Sequence, residues 1–380
     1  MSKKQSPDYI LIGLILFLII FGILILTSVS ASISQERFGQ PTYFLFHQLI
    51  FGLIPGCILG YLAFRASVDF LKRWSIIFLF INLLAMLLVF FPGIGLSLGG
   101  AHRWISLGPF SFQPSEFLKM TFVLYLAAWV SSRIEIKKTK AKSIKPLPQS
   151  LEVEKKALLP FLLILSIISL FLIFQPDIST LGIIVITATL IYFLAGTPVY
   201  HTILIFLIGI GGLFLLIKTS FYRFNRFITF LNPEMDPMGI GYQIKQALIA
   251  VGSGGILGQG LGASLQKTGF LPHPISDSIF AILAEETGFL GSFTLVLLFL
   301  IFAWRGFYIA KKNEDKFSQL VALGITLWIV LQAFVNIGAM LGILPLTGIP
   351  LPFLSYGGSA LIAELIGAGI LLNISQYSRN

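Results

Sequence analysis

Stretches of about twenty uninterrupted apolar residues recur along this chain, and no other feature constrains it as strongly. That length matches the ~20 residues an α-helix needs to cross the ~30 Å hydrocarbon core of a bilayer. Residues 9–27, 44–64, 74–91, 114–132, 158–174, 179–196, 199–217, 278–304, 317–341 and 356–374 read as ten such spans. Of 380 residues, 56% are hydrophobic and only 11% are charged, against ~25% charged residues in soluble domains. The apolar residues run continuously and do not alternate, which excludes a membrane barrel. The expected fold class is an all-α integral membrane protein, a single polytopic domain over residues 1–380 with both termini cytoplasmic.

The first run is too long for the ~7–15 apolar residues of a cleavable signal, although Val29-Ser30-Ala31 loosely imitates a cleavage site. The lone Cys57 lies inside an apolar run, so neither a disulfide framework nor a cysteine metal site is expected. The net charge of +10 is explained by orientation, and no nucleic-acid partner is expected. With the N-terminus inside, eighteen of the twenty-six Lys and Arg residues fall on cytoplasmic segments and seven on outer ones. Many of the inner ones crowd the linker 133–157, whose basic residues suit topology and attraction to anionic membrane lipid.

Sequence complexity sits on the opposite face. Residues 92–113 are rich in glycine, aromatics and hydroxyls, and His102–Leu107 with Phe110–Gln113 predict a hairpin about Gly108-Pro109. One large extracellular loop, 218–277, is too long for a mere connection. It contains an amphipathic helix at Tyr242–Val251, carrying Lys245 and Gln246, suited to the interface plane. Residues 342–355 hold three prolines and two glycines, cannot form a regular helix, and read as re-entrant.

Ionisable groups in or at the edge of a bilayer are costly and are functional candidates. Here they are Glu116, Lys119, Asp177, Asp277, Glu285, Glu286 and Glu364. Asp277 stands where a polar, glycine-rich segment meets an apolar helix. A structural role as helix cap with Ser276 competes with a catalytic one. Ala281, Ala284 and Gly288 share its helical face, a small-residue stripe that permits close approach. Glu285 lies deeper and off that stripe, with Lys119 as one conceivable partner. Glu116 and Lys119 are three apart on one face and either pair with each other or leave Lys119 for a phosphate. Arg103 adds a second cation, and Trp104 is either a site residue or part of the aromatic belt. Asp177 reads as the cap of the sixth span. The glycines of 252–262 match no phosphate-binding motif, the four histidines have no metal-ligand spacing, and no GxSxG elbow is present.

HRWISLGPFSFQPSEFLK at 102–119, QPDIST at 175–180, YQIKQALIAVGSGGILGQGLGASLQKTGFLP at 242–272, SDSIFAILAEETGFLG at 276–291 and NIGAMLGILPLTGIPLPFLSYGGSAL at 336–361 together resemble the SEDS family, the FtsW and RodA proteins of bacteria. The first, third and fourth segments carry most of the polar candidates, and the YQIKQ and LQKTGFLP stretches lean the chain toward FtsW. The resemblance implies a peptidoglycan glycosyltransferase that polymerises lipid II, a multi-pass protein of the bacterial cytoplasmic membrane with its active site facing outside. It implies a class B penicillin-binding protein as transpeptidase partner, beside other division or elongation membrane proteins. The family's essential acid falls on Asp277, its loop tryptophan on Trp104 and its helix lysine on Lys119. Gln113, Ser115, Glu116, Asp177, Lys245, Gln246, Lys267, Glu285 and Ser355 complete the expected substrate-binding set with Arg103. The family's His-Thr before the acid is replaced by Ile275-Ser276, with His273 the nearest histidine. No protein-held cofactor is expected; a divalent cation, magnesium or manganese, stays open. Two rival readings, a lipid II flippase and a non-catalytic scaffold of the cell-wall machinery, predict respectively a polar path through both leaflets and indifference to Asp277.

Overall fold

In the computed structural model, residues 5–98, 101–108, 110–141 and 157–377 are described. Lys3, Lys4, Arg379 and most of the basic linker, with Lys142, Lys145, Lys155 and Lys156, lie outside them. Each of the ten apolar runs forms a helix. In chain order these are α1 (Tyr9–Phe38), α2 (Tyr43–Gln48) continuing through a π-turn at Leu49–Leu53 into α3 (Ile54–Arg65), α4 (Val68–Leu88), α5 (Pro114–Ala141), α6 (Leu158–Phe174), α7 (Ile178–Leu194), α8 (Val199–Lys218), then α11 (Ile279–Lys312), α12 (Lys316–Met340) and α13 (Gly358–Ser375). Among the described residues, seven helices are long and apolar enough to cross a membrane, and α6 and α7 are shorter apolar helices.

Without water to drive them together, helices in lipid associate through close packing and hydrogen bonds. The bundle is built around α13 and α12, whose most apolar windows are 83% and 67% buried, whereas α8 is 11% buried and stands at the edge. Gly52, Gly56 and Gly60, four apart, let α2–α3 lie directly on α13: a Cβ at Gly60 would meet the Leu365 carbonyl at 2.7 Å. That spacing was in the sequence and is a small-residue packing face.

Three departures from expectation matter. The 92–113 segment is a three-stranded antiparallel sheet, because β1 (Gly95–Leu98) joins the expected pair β2 (Ala101–Leu107) and β3 (Phe110–Phe112). The long loop holds, besides the expected helix, now α10 (Ile240–Ser253), a second one that was not expected, α9 (Phe221–Leu231), and an irregular stretch that runs to residue 278. Helix α11 runs 34 residues but breaks at Gly288, whose φ of 66° and ψ of −162° are not helical.

The break explains the glycine-rich stretch. A helix interruption frees backbone groups that lipid cannot satisfy. Here the Glu285 and Glu286 carbonyls accept from the Gln259 and Gly260 N–H groups, and the Phe289 and Leu290 N–H groups donate to the Gly255 and Ile256 carbonyls. Such backbone-to-backbone contact excludes side chains: a Cβ on Gly254 would lie 2.1 Å from the Ala284 carbonyl oxygen, and one on Gly258 2.2 Å from that of Glu286. The small-residue positions Ala284 and Gly288 therefore receive the chain's own loop.

The 342–355 segment is irregular; Ile343 and Leu344 near its start are exposed, while Leu346, Ile349, Leu351, Phe353 and Leu354 are buried. It lies against the segment that carries Asp277.

Candidate active site

Residues 273–278 form a tight turn that ends where α11 begins. The Ser276 and Ser278 N–H groups both donate to the His273 carbonyl, at 3.2 and 3.3 Å. His273 adopts φ 52°, a left-handed conformation uncommon for a residue with a side chain. Three elements hold this turn from outside. Asn336 of α12 donates from Nδ2 to the Asp277 carbonyl and to that of Ile349, both at 2.8 Å. Ser355 Oγ donates to the Ser276 carbonyl, and the Tyr356 N–H to that of Ile275 at 2.8 Å. From α10, Gln243 Nε2 donates to Ser278 Oγ at 3.0 Å and to Asp277 Oδ2 at 3.4 Å.

The Asp277 side chain does not cap α11. Ser278 occupies the cap position without a side-chain cap bond, its hydroxyl donating instead to the Pro272 carbonyl at 2.9 Å. Ser276 Oγ donates to Asp277 Oδ1 at 3.0 Å, so it orients the carboxylate and leaves the helix uncapped. Half-buried Asp277 thus accepts two hydrogen bonds from neutral donors, and among the described residues no cation lies against it.

The other acids at this end are differently placed. Asp177 caps α7, accepting from the Thr180 N–H at 3.3 Å, and takes a second bond from Ser115 Oγ at 3.0 Å; Gln113 Nε2 donates to the same serine at 3.1 Å. Glu116 pairs with Lys119 at 2.8 Å, and Lys119 Nζ also donates to Gln332 Oε1 at 2.6 Å, with both charges about 97% removed from solvent. Gln332 Nε2 donates onward to Glu364 Oε1 at 3.1 Å, and Glu364 Oε2 accepts from the Phe353 N–H at 2.8 Å. Among the described residues no cation meets Glu285; Ser264 Oγ and the Leu265 N–H donate to it. Glu286 pairs with buried Lys267 at 2.8 Å, and Ser28 of α1 donates to the same carboxylate at 2.7 Å.

The cations are placed just as unevenly. Arg103 of β2 spends its guanidinium on the Gln175 and Pro176 carbonyls, pinning the sheet to the α6–α7 corner. Lys119 and Lys267 are enclosed in ion pairs. Lys245 is exposed on α10, the helix that also carries Gln243. Trp104 is half-buried on β2 opposite Leu96, and Gln246 is half-buried on α10. His273 is exposed, and among the described residues its ring has no recorded bond to Asp277.

Sequence reasoning passed over Gln243 and Asn336. Both sit on apolar-rich helices where a polar side chain needs a partner, and that was the signal available. It also passed over Tyr356, whose hydroxyl shares a 2.8 Å hydrogen bond with His47 Nδ1. No group of three His, Cys, Asp or Glu residues able to hold a metal occurs among the described residues.

This geometry meets independent comparisons. The family model described as cell cycle protein, FtsW/RodA/SpoVE, matches residues 9–380. Stage V sporulation protein E of Bacillus subtilis is 39% identical over 378 residues, covering 100% of this chain and 99% of that one. A probable peptidoglycan glycosyltransferase FtsW of Trichlorobacter lovleyi is 37% identical, covering 98% and 94%. A chain from a structure described as showing the coordination of polymerization and crosslinking by a peptidoglycan synthase complex superposes with a TM-score of 0.76 at 26% identity, covering 97% and 98%. The rod shape determining protein RodA of Thermus thermophilus superposes with a TM-score of 0.69 at 26% identity, covering 99% of both chains. A match that runs nearly end to end in sequence and in fold, with the polar corner inside it, makes this chain a member of the FtsW/RodA/SpoVE family of membrane proteins.

Proposed function

We propose that this protein polymerises lipid II into glycan strands at the outer face of the bacterial cytoplasmic membrane, with Asp277 as general base. One observation carries the reading: of the acids compared above, Glu116, Asp177, Glu285, Glu286 and Glu364 are buried and tied up by backbone N–H groups, hydroxyls, amides or cations, whereas Asp277 is rigidly held yet half-open and unpaired by charge. The names of its relatives, peptidoglycan glycosyltransferase among them, support it.

In the reaction, the acceptor's 4-hydroxyl oxygen attacks the donor's anomeric carbon. The bond from that carbon to the pyrophosphate oxygen breaks with inversion, and the lipid pyrophosphate leaves with the electron pair. Asp277 takes the hydroxyl proton, a role typically worth ~10²–10⁴-fold. Hydrogen bonds from Ser276 and Gln243 fix which carboxylate lone pairs face the acceptor. Charge building on the leaving pyrophosphate needs a cation in reach. Lys245 supplies it, because Arg103, Lys119 and Lys267 are engaged within the protein. A single carboxylate with neutral neighbours does not form a metal cage, so a magnesium or manganese ion would arrive on the pyrophosphate itself. The 342–355 segment, apolar and packed on the 273–278 turn, guides the lipid.

The partner in this reading is a class B penicillin-binding protein, supported by the likeness to a chain of a peptidoglycan synthase complex; other division or elongation proteins join it. The FtsW type is favoured over RodA. A transporter reading draws on the break in α11, but the carbonyls freed there accept from Gln259 and Gly260 and are not open to an ion. The test is polymerisation of labelled lipid II by the purified protein with its partner. Full activity in Asp277→Asn would overturn the assignment, and flipping without polymerisation would revive the transporter.

A further inference from the structure

A ladder of aromatic rings runs along one side of the same end of the bundle, and the chemistry above leaves it unused. Tyr43, His47 and Phe51 lie four residues apart on α2 and its π-turn, so they form one stripe. Phe38 at the end of α1 stacks on Tyr43 with centroids 3.7 Å apart. Tyr43 and His47 are 6.1 Å apart, His47 and Phe51 4.8 Å, and Phe51 reaches Phe110 of β3 at 6.2 Å. The ladder thus spans from α1 to the sheet that carries Arg103 and Trp104. Tyr356 joins it from the side, 5.8 Å from His47 and hydrogen-bonded to it. The backbone N–H of that tyrosine holds the Ile275 carbonyl, two residues before Asp277.

We propose that this ladder is a saccharide subsite that takes the glycan strand as it leaves Asp277. The proposal rests on the polymerase reading and deepens it. Three observations single out a saccharide. The apolar faces of amino sugars pack on the negative faces of aromatic rings, and rings at successive helical turns give a chain of sugars repeated contacts. The His47–Tyr356 pair sets polar atoms among the rings, where hydroxyl and acetamido groups need partners. The ladder is also continuous with the catalytic turn at Tyr356 and with the sheet at Phe110. The stripe beside it on the same helix, Phe46, Ile50 and Ile54, lies three residues on from each ladder ring, is 51–55% exposed, and takes no part in the ring contacts, as an ordinary lipid-facing surface would. The irregular π-turn within the stripe is a form found frequently at functional sites.

The probe is a lipid-free tetrasaccharide of β-1,4-linked N-acetylamino sugars, titrated into the purified full-length protein in detergent. The wild type binds it saturably. Phe51→Leu and Tyr43→Leu each weaken binding about three- to tenfold, the range expected for one lost ring contact, and shorten the mean glycan length made from lipid II. Phe46→Leu, on the lipid-facing stripe, does neither. Tyr43 is 38% exposed, so its substitution reads the ladder even where Phe51→Leu unfolds the protein. Absence of tetrasaccharide binding by the wild type, or equal behaviour of the ladder and Phe46 variants, overturns the proposal and makes the ladder a membrane-interface belt. Tetrasaccharide binding without polymerisation of lipid II leaves the subsite standing and removes the polymerase reading.

Discussion

Two polar clusters share one end of this bundle, the Lys119 network and the Asp277 corner, and they are finished to different degrees. Around Lys119, Glu116, Gln332, Glu364 and the Phe353 N–H close a chain of bonds away from solvent. Around Asp277, the backbone is held from α12 and the irregular segment, while the carboxylate receives only neutral donors, Gln243 of α10 and Ser276. A satisfied buried network fixes the positions of the elements that share it. An acid held by its backbone and left open at its carboxylate is positioned for a reactant. The first cluster latches the 350–353 backbone in place, and the second works on the shelf that this latch supports.

The contrast predicts opposite phenotypes. Asp277→Asn removes the proposed base without removing a structural bond to the backbone, so on this reading lipid II polymerisation falls at least ~10²-fold while thermal unfolding in detergent is nearly unchanged. A large loss of stability would erase the distinction between the clusters. Lys119→Met does the reverse: Glu116 is left charged and unpaired, and unfolding measurements show a loss of about 3–5 kcal/mol. Adding Glu116→Gln to that variant recovers more than half of the loss. Gly288→Ala tests the scaffold beneath the corner. The left-handed backbone there costs a side chain ~1–3 kcal/mol, and its Cβ would meet the Gly258 nitrogen at 2.3 Å. Limited proteolysis then cuts within 254–262 faster than in the wild type. The smallest effect belongs to Lys245→Ala, where stability stays within ~0.5 kcal/mol and the KM for lipid II rises several-fold. An unchanged KM would move the leaving-group role to another cation.

Much of this was readable from residue order. The apolar runs located each of the ten helices, because helix length in lipid is set by bilayer thickness and depends little on neighbours. Gly108-Pro109 located the hairpin, and Asp177 was legible as a cap because capping is local. Lys245 and Lys267 looked alike in the sequence, each a lysine in a polar outer loop. Only folding separates them, since Glu286 meets Lys267 across nineteen residues and Ser28 of α1 joins from farther still. Glu285 was a candidate partner for Lys119 and instead receives Ser264 and the Leu265 N–H, for the same reason. The glycines of 252–262 were seen, but their purpose depends on the break at Gly288, and a broken helix has no clear signature inside an unbroken apolar run.

Hydropathy, charge placement and short local patterns thus determined the class of this protein, the positions of its helices, and the short list of polar residues worth attention. These are properties of chain segments, decided by the solvent each segment meets. Tertiary structure alone decided which members of that list are spent and which are free. Whether an acid deep in a bundle is a strut or a base depends on what the rest of the chain brings within about three ångströms of it. For Asp277, that is Gln243 and Ser276 at its oxygens and Asn336 at its carbonyl, an arrangement that grips the residue and leaves its charge unanswered.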